Sequence, residues 1–189
     1  MRPGFEGGRR DLFSSFRYII PETPSDLRPG IARPREKLEQ HMQTINVRYT
    51  IAAPIEKIFE ILADHANYKL LPGVKDSRLI KLGTPVKNGV GAVRWIDAGK
   101  ARFTEEITRF EPPTRMDYQI IKSFPPVEQK CGSVRLEKTP GGTVVSWTST
   151  VELKIPLIGK LLTPLLAKEL SGAFLHTLQA IEKRLVKQA

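Results

Sequence analysis

Residues 91–107 read GAVRWIDAGKARFTEEI, and their pattern decides the architecture. Two β-rich runs meet at Ala98-Gly99-Lys100-Ala101, a glycine-bearing connection of the kind that closes a tight hairpin. With Gly99-Lys100 as a two-residue turn, one face carries the opposed pairs Ala98/Ala101, Ile96/Phe103, Arg94/Glu105 and Ala92/Ile107. The other face is mixed: Asp97/Arg102, Trp95/Thr104 and Val93/Glu106. The first face, apolar apart from Arg94 and Glu105, turns inward, and a slip of one residue would destroy the sorting. The hairpin therefore predicts a sheet whose buried face carries an ion pair.

Working outward, Ile45, Val47, Tyr49 and Ile51 alternate with polar residues as in a half-buried strand. Ala53-Pro54 opens a short helix with Ile55, Ile58, Phe59 and Leu62 at helical spacing, and a second helical turn runs from Tyr68 to Leu71 before Pro72-Gly73. Six more strands are expected near 74–82, 90–98, 101–110, 114–123, 127–138 and 143–154, joined by turn-forming GTPVKNG, AGKA, EPPT, FPP and TPGG. A long amphipathic helix closes the chain. Its expected start is Thr163-Pro164, and Leu166, Leu170, Ala173, Phe174, Thr177, Ile181 and Leu185 form its inner stripe. Strand, two short helices, six strands and a long helix make an α+β fold, with a curved antiparallel sheet against one helix and space between them.

The chain has 189 residues, 40% of them hydrophobic and 26% charged, enough for one domain with a real core plus an appendage. No apolar run approaches the ~18 residues of a membrane span. The single cysteine, Cys131, rules out an internal disulfide and cysteine-based metal sites, and fits a reducing, cytoplasmic setting. The net charge of +10 would attract anionic partners, but its lysines and arginines are scattered rather than clustered, so it reads as a solvated basic surface with no specific nucleic-acid binding. Residues 1–41 are rich in Pro, Gly and Arg without helix or strand period and read as a disordered extension to a domain over 42–189. Glu6 and Asp11 argue against a transit peptide, and Met42, just before the first strand, is an alternative start of translation.

The strings IAAPIEKIFEILADHANYKLLPGVKDSRLI, GVGAVRWID, EEITRFEPPTRMDYQI and GSVRLEKTPGGTVVSWT, with the C-terminal helix, resemble the polyketide cyclase/dehydrase and lipid-transport branch of the START-like (SRPBCC) superfamily over residues 44–186. The resemblance implies the helix-grip fold, a seven-stranded sheet wrapped around the C-terminal helix with an apolar cavity between them. It also implies hydrophobic ligands such as lipids, quinones or polyketides, with catalysis in a minority of members. The LLPG segment also resembles coenzyme-Q-binding relatives, some of them ribosome-associated toxins.

Extending the hairpin register opposes Glu105 with Ile120 and Ile107 with Tyr118, brings Ile120 near Lys130, and sets Val134 against Trp147. Arg94, Glu105 and Lys130 then share one charged level of a pocket walled by Ile96, Phe103, Met116, Tyr118, Ile120, Val134, Trp147 and Phe174. An Arg-carboxylate pair can satisfy itself when buried, so Arg94 and Glu105 read equally as a clasp between strands or as ligand-recognition groups. As an enzyme, the site would use Glu105 as acid or base, Arg94 to stabilise an enolate and Tyr118 as a hydrogen-bond donor. His65, lacking any partner at metal spacing, reads as a surface loop residue, and His176, half a turn from Phe174, faces outward. The lysine-edged run KIPLIGKLLTPLLAKEL reads as packed, with transient membrane-surface contact as the alternative. The expectation is a carrier or sensor of a small hydrophobic molecule that needs no cofactor or metal, with a cyclase or dehydratase, and a quinone-binding or toxin-like protein, as alternatives.

Overall fold

A computed structural model gives the structure of the protein, and residues 41–187 are described. The extension expected over residues 1–41 therefore lies, but for His41, outside the described residues. The elements run β1 (Gln43–Ile51), α1 (Ile55–Ala63), a 3-10 segment (His65–Leu70), β2 (Asp76–Lys81), β3 (Val93–Asp97), β4 (Arg102–Glu111), β5 (Arg115–Phe124), β6 (Val127–Thr139), β7 (Gly142–Leu153) and α2 (Gly159–Val186). The strands form one antiparallel sheet in the order β1-β7-β6-β5-β4-β3-β2. A meander thus runs from β2 to β7, and β1 joins its far edge. This is the seven-stranded helix-grip arrangement.

The hairpin register is the expected one: Arg94 pairs with Glu105 and Ile96 with Phe103, and Gly99 takes the left-handed φ of +79° that the turn requires. Glu105/Ile120, Ile107/Tyr118 and Val134/Trp147 are opposed as well. α1 buries Ile55, Ile58, Phe59 and Leu62, the residues at helical spacing.

α2 lies against β1 and β7, with Leu178 and Ile181 fully buried. At its C-terminal half the Tyr49 hydroxyl donates to Glu182 Oε2 at 2.6 Å. At its N-terminal end Thr163 Oγ1 accepts from the Leu153 amide at 3.0 Å and donates to the Gly159 carbonyl at 2.8 Å. Thr163 is therefore an anchor inside the helix and not its cap. The helix begins at Gly159 because Leu157, at φ +67°, turns the chain there, and Pro164 falls inside it. The expectation that the preceding leucines are packed is also corrected. Leu157 is 99% exposed, and Leu161 and Leu165 are exposed too, because only every third or fourth position of the first turns meets the sheet. Among the described residues no helix is long and apolar enough to cross a membrane.

Candidate ligand cavity

A cavity of about 140 Å³ opens between the sheet and α2. Its sheet wall carries Ile96, Phe103, Ile120, Trp147 and Val151. Leu170, Ala173, Phe174 and Thr177 face it from α2, and Leu71 to Val74, the segment after the 3-10 turn, close one side. Phe174 stacks on Trp147 with ring centroids 4.2 Å apart and planes inclined by 6°. Apolar side chains dominate, and a few polar ones (Arg94, Glu105, Tyr118, Gln129, Ser149) converge on the space, as in most small-molecule sites.

Arg94 is 1% exposed. Its Nε and NH2 both donate to Glu105 Oε2 at 2.7 Å, and NH1 donates to Tyr68 Oη at 2.7 Å and to His65 Nδ1 at 3.2 Å. Four of its five N–H donors are thereby committed within the protein. The guanidinium also lies 4.6 Å from the Tyr68 ring and 5.1 Å from the Tyr118 ring. Tyr68 is saturated in turn, since its hydroxyl donates to the Leu62 carbonyl.

His65 is the largest departure from the sequence reading: it is fully buried, not a surface loop residue. The 3-10 turn folds it under the sheet, where a polar ring is tolerated because both nitrogens find partners. Arg94 can only donate, so Nδ1 accepts, and Nε2–H donates to the Asn88 carbonyl at 3.1 Å. Burial, with the Arg94 charge adding to it, lowers its pKa from 6.5 to about 3. The folded state thus refuses a proton that the unfolded chain takes up near pH 6.5. The stability this group contributes is complete above that pH and declines as pH falls toward 3. Urea unfolding at pH 7.5 and 5.5 should show wild type losing about 1.4 kcal/mol more than His65→Gln over that interval. Equal losses would place the ring in a solvated site.

The structure relocates three of the expected pocket residues, Lys130 from the charged level and Met116 and Val134 from the wall. A β-bulge between Gln129 and Cys131 shifts the parity of β6, so Lys130 is exposed and Gln129 is buried in its place. Met116 and Val134 are buried in the hydrophobic core, outside the cavity lining. Arg94, Ile96, Phe103, Glu105, Tyr118, Ile120, Trp147 and Phe174 do line it. Gln129 Oε1 accepts from the Ile120 amide at 2.8 Å and Nε2 donates to Ser149 Oγ at 2.9 Å. Trp147 Nε1 donates to Tyr118 Oη at 2.9 Å. Burial, with Glu105 nearby, raises the Tyr118 pKa well above the usual phenol range, so it remains a neutral hydroxyl. Strand parity from Trp147 could have found Ser149. The bulge hid Gln129, and no periodicity marked Tyr68. Among the described residues no group of three or more His, Cys, Asp or Glu side chains is placed to hold a metal ion.

The chain has no match among curated proteins. Among solved structures it is similar to protein TTHA0849 of Thermus thermophilus (21% identity, 78% of this chain and 99% of that one, TM-score 0.63). It is similar also to a START superfamily protein of Mycobacterium smegmatis (17%, 78% and 99%, 0.59) and to the ZhuI aromatase/cyclase of Streptomyces sp. R1128 (20%, 77% and 96%, 0.63). These identities speak for the fold. The family model described as polyketide cyclase/dehydrase and lipid transport matches residues 42–186, nearly the whole described chain and both walls of the cavity, and the protein belongs to that family.

Proposed function

We propose that the protein is a carrier or sensor of a small hydrophobic molecule held between the sheet and α2. The observation that supports this most directly is an apolar cavity between the sheet and α2, bordered by the buried hydrophobic core. Its volume is near that of an engineered apolar cavity that accommodates benzene, so the space as it stands suits one ring. A larger ligand needs Phe174 to swing off Trp147, leaving the Trp147 face for the ligand to stack on.

Binding is favoured over catalysis because the groups suited to proton transfer are occupied. Glu105 holds Arg94 through Oε2, His65 is held between Arg94 and Asn88, and the Tyr118 proton is firmly retained. Arg94 accordingly shapes the wall and does not pair with the ligand. Native mass spectrometry of the protein as purified should retain an apolar compound. The chain has two tryptophans, so a Trp95→Phe variant leaves Trp147 as the sole indole reporter, and a bound ring should change its emission. No bound compound and no response to any apolar probe would refute the reading.

A further inference from the structure

Among the described residues, two hydroxyls of the cavity wall accept a hydrogen bond and donate none. Trp147 Nε1–H and Gln129 Nε2–H are donors only, and the Gln129 amide is oriented by the Ile120 N–H bound to its Oε1. Tyr118 Oη and Ser149 Oγ must therefore accept these bonds, and each retains its own O–H. Among the described residues neither hydroxyl finds an acceptor, although Tyr118 is 4% exposed and Ser149 2%. By contrast, Tyr68, equally buried beside Arg94, has both functions filled.

Register explains how the two come to the same place. Gly132 on β6 pairs with Tyr118 on β5 and with Ser149 on β7, so the three form one row across the sheet. A Cβ at Gly132 would lie 2.7 Å from the Tyr118 ring and from Gln129 Nε2. The missing side chain lets Tyr118 lean across β6 toward β7, where it meets Trp147. Tyr118, Trp147 and Ser149 all line the cavity.

We propose that Tyr118 and Ser149 are a pair of preset donors that select, among hydrophobic molecules, those carrying an acceptor oxygen with no proton of its own, a ketone-type carbonyl above all. The inference rests on the cavity-binding reading and deepens it. A buried donor left unmet in the complex counts against a pure hydrocarbon, whereas a carbonyl oxygen, with two lone pairs, can accept from both hydroxyls. The Trp147 and Gln129 N–H groups withdraw density from the hydroxyl oxygens they bind, which strengthens the bonds those hydroxyls donate.

The test uses acetophenone and ethylbenzene, of similar shape and differing at the oxygen. Binding to the full chain is followed by NMR titration, with the bound carbonyl stretch read by infrared difference spectroscopy. Wild type should prefer acetophenone, and the carbonyl stretch should move to lower wavenumber than in an apolar solvent. Tyr118→Phe and Ser149→Ala should each weaken acetophenone roughly tenfold without weakening ethylbenzene, whose binding should if anything tighten as the unmet donor is removed, and Tyr118→Phe should reverse part of the shift. A variant that merely loosens the cavity would alter both compounds alike. Equal wild-type affinity for the two, or an unshifted carbonyl, overturns the donor pair while the cavity reading stands. Failure of both compounds to bind wild type overturns both.

Discussion

Replacing Glu105 with leucine should lower the unfolding free energy by about 3–5 kcal/mol, because it leaves the Arg94 guanidinium charged and buried without its counter-ion. Arginine cannot escape by losing its proton. The remaining partners, His65 and the Tyr68 hydroxyl, are neutral and supply no compensating charge. Domains of this size are stable by about 5–15 kcal/mol, so the loss is a large share of the total. The double variant Arg94→Met, Glu105→Leu should recover most of it, since two apolar side chains of similar size remove both desolvation costs. Recovery should stop short of complete, because His65 Nδ1 then loses its donor, which costs about 1–3 kcal/mol. Urea denaturation of wild type and the two variants measures this directly. A single-variant loss below about 1 kcal/mol would mean that water reaches the pair.

The same cycle distinguishes clasp from recognition group, the two readings that the hairpin alone left open. If the pair only holds strands and wall in place, the double variant should bind an apolar probe within a few-fold of wild type once folded. If Arg94 contacts ligand, binding should stay lost when stability returns.

Elements with strict alternation could be read from the residues. The hairpin carries its own register: burial of Ile96, Phe103 and Ile107 fixes the face, and the two-residue turn at Gly99-Lys100 sets Arg94 opposite Glu105. That logic carried through β5 and along β6 to Gly132, and it broke at the bulge, where one extra residue reverses inside and outside. Nothing in VEQKCGS marks that extra residue, so Lys130 was placed inward by parity and Gln129 was overlooked. His65 was illegible for another reason. Its burial is decided by partners far along the chain, Asn88 and Arg94, and a short 3-10 segment has no period from which to infer them. The start of α2 misled in a third way. Thr-Pro looks like a cap and first turn, but the Thr163 hydroxyl serves the Leu153 amide instead, a tertiary contact overriding a local preference.

The space between helix and sheet and the family resemblance both point to a cavity, and its size depends on Phe174 stacked on Trp147. Ala173 lines the cavity from α2 next to Phe174 and is also exposed to solvent, so a larger side chain there stands at the edge of the space. Ala173→Phe supplies a ring to a cavity of about 140 Å³, a volume that suits a single ring. Single-ring apolar probes should then lose at least a hundredfold in affinity, because the new side chain competes for the same space from a covalently fixed position and the ligand would have to displace it. The fold should tolerate the change, since overpacking costs about 1–3 kcal/mol and the added ring buries apolar surface in return. His176→Phe places the same ring on the outward face of the same helix, where the side chain is exposed, and should leave binding unaltered. Probe titrations monitored at Trp147, with thermal unfolding of both variants, separate occlusion from misfolding. Undiminished binding in a well-folded Ala173→Phe protein whose new ring shows NMR contacts to Trp147 would show that ligand sits elsewhere, and the site would then have to be sought beyond the space between sheet and helix.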